Sequence, residues 1–468
     1  MLNSKLINIL QSLSNDEKRH LRKWFSANFV NKNDAVYKLF YFIDTRRSIT
    51  ELTIKKIRAF EYLFKDELYN DQTMRHLMWQ CIEIIEDFLV YYTFVNQRNN
   101  KHLLLMSVYQ QKNLPLYANE SLTKIKKNNE QLQLQDSDYY LEQLQIEKNL
   151  YNIATNNTRY ASLNIQHLID KIDEYAVAET LRWSCIALSH QRISGNTYHL
   201  QNTSNYIQQI ENGLYANNAA VQIYFLLYKL SKEADDIVFE KLFNALFIYE
   251  KNFTETELKD IFLLSINYCI SELNVGKQIY AQYAFDLFMH ALSKKYLLEN
   301  NELDRFTFKN IAFIAIKRLK DFKKAEHFID AYRQYLPEAY REHAVLFTKA
   351  TLYFEQKDYK KAMRILQQVE FADVLWNLNA KNMLLKMYFE EAEYEALLTF
   401  LNSYKVYLKR QKQIGYHQTR YLKVITLCKK LYNNIGASKN NKTKLKQIII
   451  DDNELPEKEW FLEQVNKL

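Results

Sequence analysis

The sequence predicts an all-α protein built largely from antiparallel helix pairs, and three observations carry that prediction. Glycine and proline are scarce, 5 Gly and 3 Pro in 468 residues, about 2% where roughly 12% is usual. Sheets need both residues at hairpins and crossovers, so the shortage argues against sheet architectures. Apolar residues recur at helical spacing nearly from end to end. Asparagine, 42 residues in all, stands where glycine usually would, since it tolerates the left-handed conformation at a helix C-terminus and caps the next N-terminus. At 48% hydrophobic and 25% charged residues, the chain has ample apolar surface to bury and does not have a disordered composition.

The first hundred residues read as a helical domain, with helices over 2–11, 16–28, 35–44, 52–65 and 71–96. Capping boxes mark helix starts at Ser14 with Glu17, Ser48 with Glu51 and Thr254 with Glu257. Pro115, Pro337 and Pro456 each fall near the first turn of an expected helix. The pairs Asn99-Asn100, Asn128-Asn129, Asn156-Asn157, Asn217-Asn218, Asn300-Asn301 and Asn433-Asn434 are expected helix-to-helix turns, giving about twenty helices in the chain. The opening LSNDEKRHLRKWFSANFVNKNDAVYKLFYFI, together with the segment from Tyr69 to Leu89, resembles the start of a group of large all-helical bacterial proteins common in Bacteroidota. That resemblance implies a helical fold and a bacterial lineage, and no activity.

A repeat follows in the C-terminal third. Lys320-Asp321-Phe322-Lys323-Lys324-Ala325 recurs 37 residues later as Lys357-Asp358-Tyr359-Lys360-Lys361-Ala362, and more weakly 35 further on as Glu393-Tyr394-Glu395-Ala396-Leu397. This is the period of helix-turn-helix solenoids. Ala350, Tyr353, Ala362 and Leu366 supply a small, aromatic, small and large residue in the second copy; Ile329 and Pro337 add to the first, and Tyr388, Tyr394 and Leu401 to the third. These residues resemble a tetratricopeptide repeat array over 306–410. Phe313 departs from the pattern in the first copy, Leu346 and Lys349 in the second, and Leu397 in the third. The resemblance implies a right-handed solenoid in which small residues let paired helices approach and each pair buries a face on the next. The expected organisation is an N-terminal helical domain over 1–100, a degenerate helix-pair solenoid over 101–305, tetratricopeptide-like repeats over 306–410 and a basic C-terminal cap over 411–468.

Known catalytic spacings are missing. The nearest pair of glycines, Gly195 and Gly213, is 18 residues apart, so no GxGxxG or GxxxxGK loop exists to cradle a phosphate. No HExxH, CxxC or nucleophile elbow occurs. Glu17 and His20 form a single Glu-x-x-His inside a capped helix start, His190 and His199 flank an expected turn, and the neighbours Asp235-Asp236 and Asp451-Asp452 diverge on a helix. Neither a cofactor, a metal nor a catalytic residue is therefore expected, and the chain is read as a non-enzyme. Cys81, Cys185, Cys269 and Cys428 are far apart and read as reduced, buried thiols of a cytoplasmic protein. The N-terminus does not read as a signal peptide, and the most apolar windows are about half the length of a membrane span, so no membrane association is expected.

Two features point to binding. Tyrosine reaches 35 residues, more than a core comfortably holds, and the adjacent pairs Tyr91-Tyr92 and Tyr139-Tyr140 are candidates for an interface. Residues 405–446 carry twelve Lys or Arg and no acid, so this segment holds +12 of a chain whose net charge is +8, leaving the other 426 residues at −4. On a continuous helix Lys405, Lys409, Lys412, Tyr416, Arg420, Lys423 and Lys430 line one face, a stripe about 38 Å long, and Gly415 is the place where it could break into two patches. Three readings are open for the segment: a solvated cap, a docking surface for an acidic protein or peptide, and a nucleic-acid site with Tyr407, Tyr416, His417 and Tyr421 for stacking. The expected function is a non-catalytic protein–protein interaction scaffold or adaptor, with a nucleic-acid-binding regulator as the alternative.

Overall fold

The computed structural model describes residues 1–27, 33–46, 48–65, 67–157, 163–369, 374–411, 417–452 and 455–468. It is all-α, 78% helical, and among the described residues the only strands form one two-residue hairpin. The chain divides into two compact units, Met1–Ala176 and Val177–Leu468.

The first unit contains α1 (Lys5–Ser12), α2 (Asn15–Phe25), α3 (Asp34–Asp44), α4 (Lys56–Leu63), α5 (Asp71–Asn96), α6 (Asn100–Gln111), α7 (Pro115–Leu132), α8 (Ser137–Asn157) and the start of α9 (Ile165–Ser194). Leu6, Ile7, Leu21, Leu39, Phe60, Met74, Cys81 and Ile85 form its main core, with the Phe25 and Phe40 rings stacked at 4.2 Å. Ser14 and Glu17 complete the expected capping box, Ser14 Oγ accepting from the Glu17 amide and Glu17 accepting from the Ser14 amide. Ser48 and Glu51 do not: α4 begins at Lys56, because the Thr50 and Thr53 hydroxyls bond locally and hold 50–54 in a turn. Asn128 and Asn129 also depart from expectation. They lie within α7, where their side chains bond to neighbouring helices rather than closing a turn.

The second unit holds the rest of α9 and then α10 (Thr203–Glu211), α11 (Ala219–Lys232), α12 (Asp236–Tyr249), α13 (Glu255–Asn274) and α14 (Tyr280–Ser293). The hairpin β1 (Leu298–Glu299) and β2 (Glu302–Leu303) turns on Asn300 and Asn301, both at positive φ. Next come α15 (Arg305–Phe313), extended by a π turn over Ile314–Arg318, α16 (Phe322–Tyr332), α17 (Glu338–Glu355), α18 (Tyr359–Gln368), α19 (Val374–Glu390), α20 (Tyr394–Arg410), α21 (His417–Asn433), α22 (Lys439–Asp451) and α23 (Lys458–Lys467).

The sequence repeat is a repeat of geometry. Lys320, Lys357 and Ala392 occupy the same left-handed turn position, at φ 54°, 62° and 57°. The Asp358 amide reaches back to Tyr353 O, and the Glu393 amide to Tyr388 O, each at 2.9 Å. In the first copy the π turn widens the helix, and the Asp321 amide bonds Ala315 O instead, one residue further back. Phe313, the large residue at a small-residue position, immediately precedes that turn. Ala325, Ala350 and Ala362 are fully buried where helices meet. Lys320 Nζ binds Glu355 at 2.6 Å, and Lys357 Nζ binds Glu390 at 2.9 Å, so each turn is tied to the end of the next long helix. Helices α15, α17 and α19 pack in succession, with α16 and α18 bridging them. Left-handed positions fall mostly to residues other than asparagine: Gln133, Tyr215, Lys295, Lys320, Lys357, Ala392 and Glu457 share them with Asn113, Asn300 and Asn301.

Candidate partner-binding surface

The basic residues are carried by α20, α21 and α22. Leu401, Tyr404 and Leu408 give α20 a buried stripe at helical spacing, and Tyr421, Val424, Ile425, Cys428 and Leu431 do the same for α21. Tyr404 donates its hydroxyl to Leu378 O and Asn382 Oδ1, satisfying the one polar atom of a fully buried ring. With these faces inward, Lys405, Lys409 and Lys430 are left exposed, whereas Lys423 is half-buried and Arg420 is half-buried with its Nε turned inward.

The stripe does not run along one helix. α20 ends at Arg410 and α21 begins at His417, with Lys412 and Tyr416 outside the described residues. Gln418 Nε2 bonds Leu408 O and Lys429 Nζ bonds Asn402 Oδ1, so the two helices run antiparallel. Lys405 and Lys409 therefore lie on one arm of a helical hairpin, and Arg420, Lys423 and Lys430 on the other.

Several of these cations have internal partners. Lys423 pairs with Asp452 at 2.9 Å, Lys446 donates to Asn466 at 2.9 Å, and Lys442 bonds the backbone oxygen of Leu468. Lys405, Lys409 and Lys430 are exposed and meet no carboxylate among the described residues. Between α21 and α22 lies a cleft of about 320 Å³ lined by Leu422, Lys423, Leu427, Lys430, Ile448 and Asp452. Two of the residues expected from sequence thus border one apolar cleft.

The aromatics interleaved with the charges face elsewhere. Tyr421 is buried and donates to Asn379 Oδ1, and burial, with the nearby Glu457 charge adding to it, pushes its hydroxyl up to about 12. The Lys381 ammonium sits 4.6 Å from the Tyr407 ring centroid. Tyr416 and the His417 side chain lie outside the described residues. Of the expected tyrosine pairs, Tyr140 is core, Tyr139 packs edge-on against it, and Tyr92 donates to Asp16 at 2.8 Å. Tyr91 alone is well exposed, stacked on Trp24 at 4.9 Å.

The chain matches no family model, no curated protein and no solved structure.

Two buried polar clusters join residues far apart in the sequence. In the first unit, Arg98 Nη1 donates to Asp136 at 3.0 Å, and Asn99 Nδ2 donates to both oxygens of Glu142 at 3.0 Å. Asn128 and Asn129 close the cluster by bonding Asn99 and Glu142. In the second unit, the Tyr224 hydroxyl donates to Glu257 Oε1 at 2.7 Å. Burial, and then the Glu257 charge, hold that hydroxyl far above its ordinary value of 10. Glu257 is thus a buried acceptor and not half of a capping box, and the Thr254 side chain makes no cap bond. No short motif joins these residues, so pattern alone had no signal for them.

All four cysteines are unpaired and buried, and burial pushes the Cys81 and Cys428 thiols up to about 12, which lowers their reactivity. His190 Nδ1 meets the Tyr198 hydroxyl at 2.7 Å, and His199 lines a separate polar cleft of about 410 Å³. Glu17 and His20 stay on the surface of α2. Among the described residues no group of three or more His, Cys, Asp or Glu is placed to hold a metal, and no helix is long and apolar enough to cross a membrane.

Proposed function

We propose that the chain is a non-catalytic interaction scaffold or adaptor of a bacterial cytoplasm, whose basic C-terminal helices dock an acidic protein or peptide. The four-part organisation and the right-handed, tetratricopeptide-like solenoid belong to the same reading. The recurring left-handed turns and lysine–glutamate ties support it, because they are what stacked helix pairs need. The observation that carries the docking surface is the exposure of Lys405, Lys409 and Lys430 without a counter-charge among the described residues, Lys430 at the edge of an apolar cleft. Cations so placed steer and orient an acidic partner, while apolar contacts supply affinity. A nucleic-acid site draws less support, since the described tyrosines of the segment are packed or capped and offer bases no platform.

Capture of partners by the tagged chain from its native cells, with and without nuclease, tests this reading. A discrete protein retained after nuclease treatment is the expected result. Recovery of nucleic acid alone, or of nothing, overturns it.

A further inference from the structure

The cleft between α21 and α22 sets two lysines against an apolar wall. Lys423 and Lys430 are seven residues apart on α21, two turns, so they project from one face about 10.5 Å apart. Residues i and i+7 of a second helix laid along the cleft have the same spacing. Leu422, Leu427 and Ile448 supply an apolar lining, and Ile448 is 47% exposed although it lies on that lining. None of the residues lining the cleft is aromatic, which suits aliphatic side chains and not stacked bases.

One carboxylate is already present. Asp452, at the C-terminus of α22, places its two oxygens 2.9 and 3.2 Å from Lys423 Nζ at one end of the cleft. Lys430, at the other end, meets no such group among the described residues. The chain's own aspartate therefore marks the chemistry this cleft accepts and occupies half of it.

We infer that this cleft binds one amphipathic acidic helix of a partner protein, which places two carboxylates two turns apart on Lys423 and Lys430 and its aliphatic side chains between them. Asp452 acts as an internal latch that the incoming carboxylate displaces from Lys423. The inference rests on the reading of the basic helices as a docking surface and names which part of that surface makes the specific contact.

The test uses the full chain and fluorescent helical peptides of about 15 residues, built on leucine and alanine. One peptide carries Glu at i and i+7, a second carries Gln at both positions, and a third carries Glu at i and i+5 on opposite faces. Anisotropy titrations at roughly 0.1 M salt should show the i, i+7 Glu peptide binding about tenfold more tightly than the other two, as charge-assisted bonds require. K430E should lose that preference. D452N should tighten binding severalfold, while D451N, which changes the net charge equally on a residue outside the cleft, should leave it unchanged.

Equal effects of D451N and D452N would mean that net charge alone acts, and would overturn the inference. So would equal binding of the three peptides, preferential displacement by a single-stranded oligonucleotide, or a dimer of the chain that K430E dissolves. A captured partner that depends on Lys405 and Lys409 but not on Lys430 overturns the cleft and leaves the docking reading in place. Absence of any protein partner removes the docking reading itself.

Discussion

The indole of Trp460 donates a hydrogen bond of 2.7 Å to Glu390, joining α23 to the end of α19 across 70 residues of chain. Glu390 also accepts from the Tyr359 hydroxyl and pairs with Lys357 at 2.9 Å, so one carboxylate ties a repeat turn to the C-terminal helix. Replacing it by alanine strands the buried donors of Tyr359 and Trp460, while the exposed Lys357 ammonium turns to water. E390A should therefore cost about 3 kcal/mol, and E390Q, which keeps an acceptor, about half as much. Urea unfolding followed by circular dichroism checks both values.

The same contact gives a pH dependence. Burial pushes the Glu390 carboxyl up, but the bonds from Tyr359, Lys357 and Trp460 outweigh it, and the group titrates below its ordinary 4.5. A carboxylate depressed in the folded state contributes stability that is full above the unfolded value and is lost as pH falls through the folded one. The urea midpoint of the wild type should drop more steeply below pH ~4.5 than that of E390Q. Parallel profiles would contradict this.

Helix caps offer a paired comparison. Ser14 makes both bonds of its capping box, whereas Thr254 makes no side-chain bond. S14A should cost about 1 kcal/mol and T254A only a few tenths. Thermal melts of the two variants read the difference directly.

The two caps also show what pattern can and cannot reveal. Ser14 with Glu17 and Thr254 with Glu257 have the same spacing, and only packing separates them, because Tyr224 of α11 takes up Glu257. The helical class, the repeat at Lys320 and Lys357 and the concentration of charge after Lys405 are all local in sequence, and they were legible there. The break of the basic stripe into α20 and α21, the pairing of Lys423 with Asp452 and the cleft beside Lys430 depend on how three helices fold back together. No linear spacing encodes them.

Long-range packing is also what makes the Arg98 cluster matter. Asp136 and Glu142 are almost fully buried, and Arg98 is the cation that faces both, at 3.0 and 3.6 Å. R98A leaves those carboxylates without a counter-charge and should destabilise the first unit by about 3–5 kcal/mol. Hydrogen exchange should show lost protection over α6, α7 and α8, with the second unit unchanged.

Ala392 holds the left-handed turn position of the third repeat copy at φ 57°, a conformation in which a Cβ atom costs about 1 kcal/mol. It carries no ammonium group to lose, unlike Lys320 and Lys357. A392G should raise the melting temperature, and a fall would contradict the assignment of that turn.

The role proposed for the exposed cations of the C-terminal helices is to hold a protein partner. Lys405, Lys409 and Lys430 make no ion pair within the described residues, so the triple variant K405E/K409E/K430E should fold normally. The deciding measurement is capture from native cells by this variant beside the wild type, with melting curves of both. Unchanged melting and loss of the captured protein are the expected result. Retention of that protein at wild-type level would contradict it.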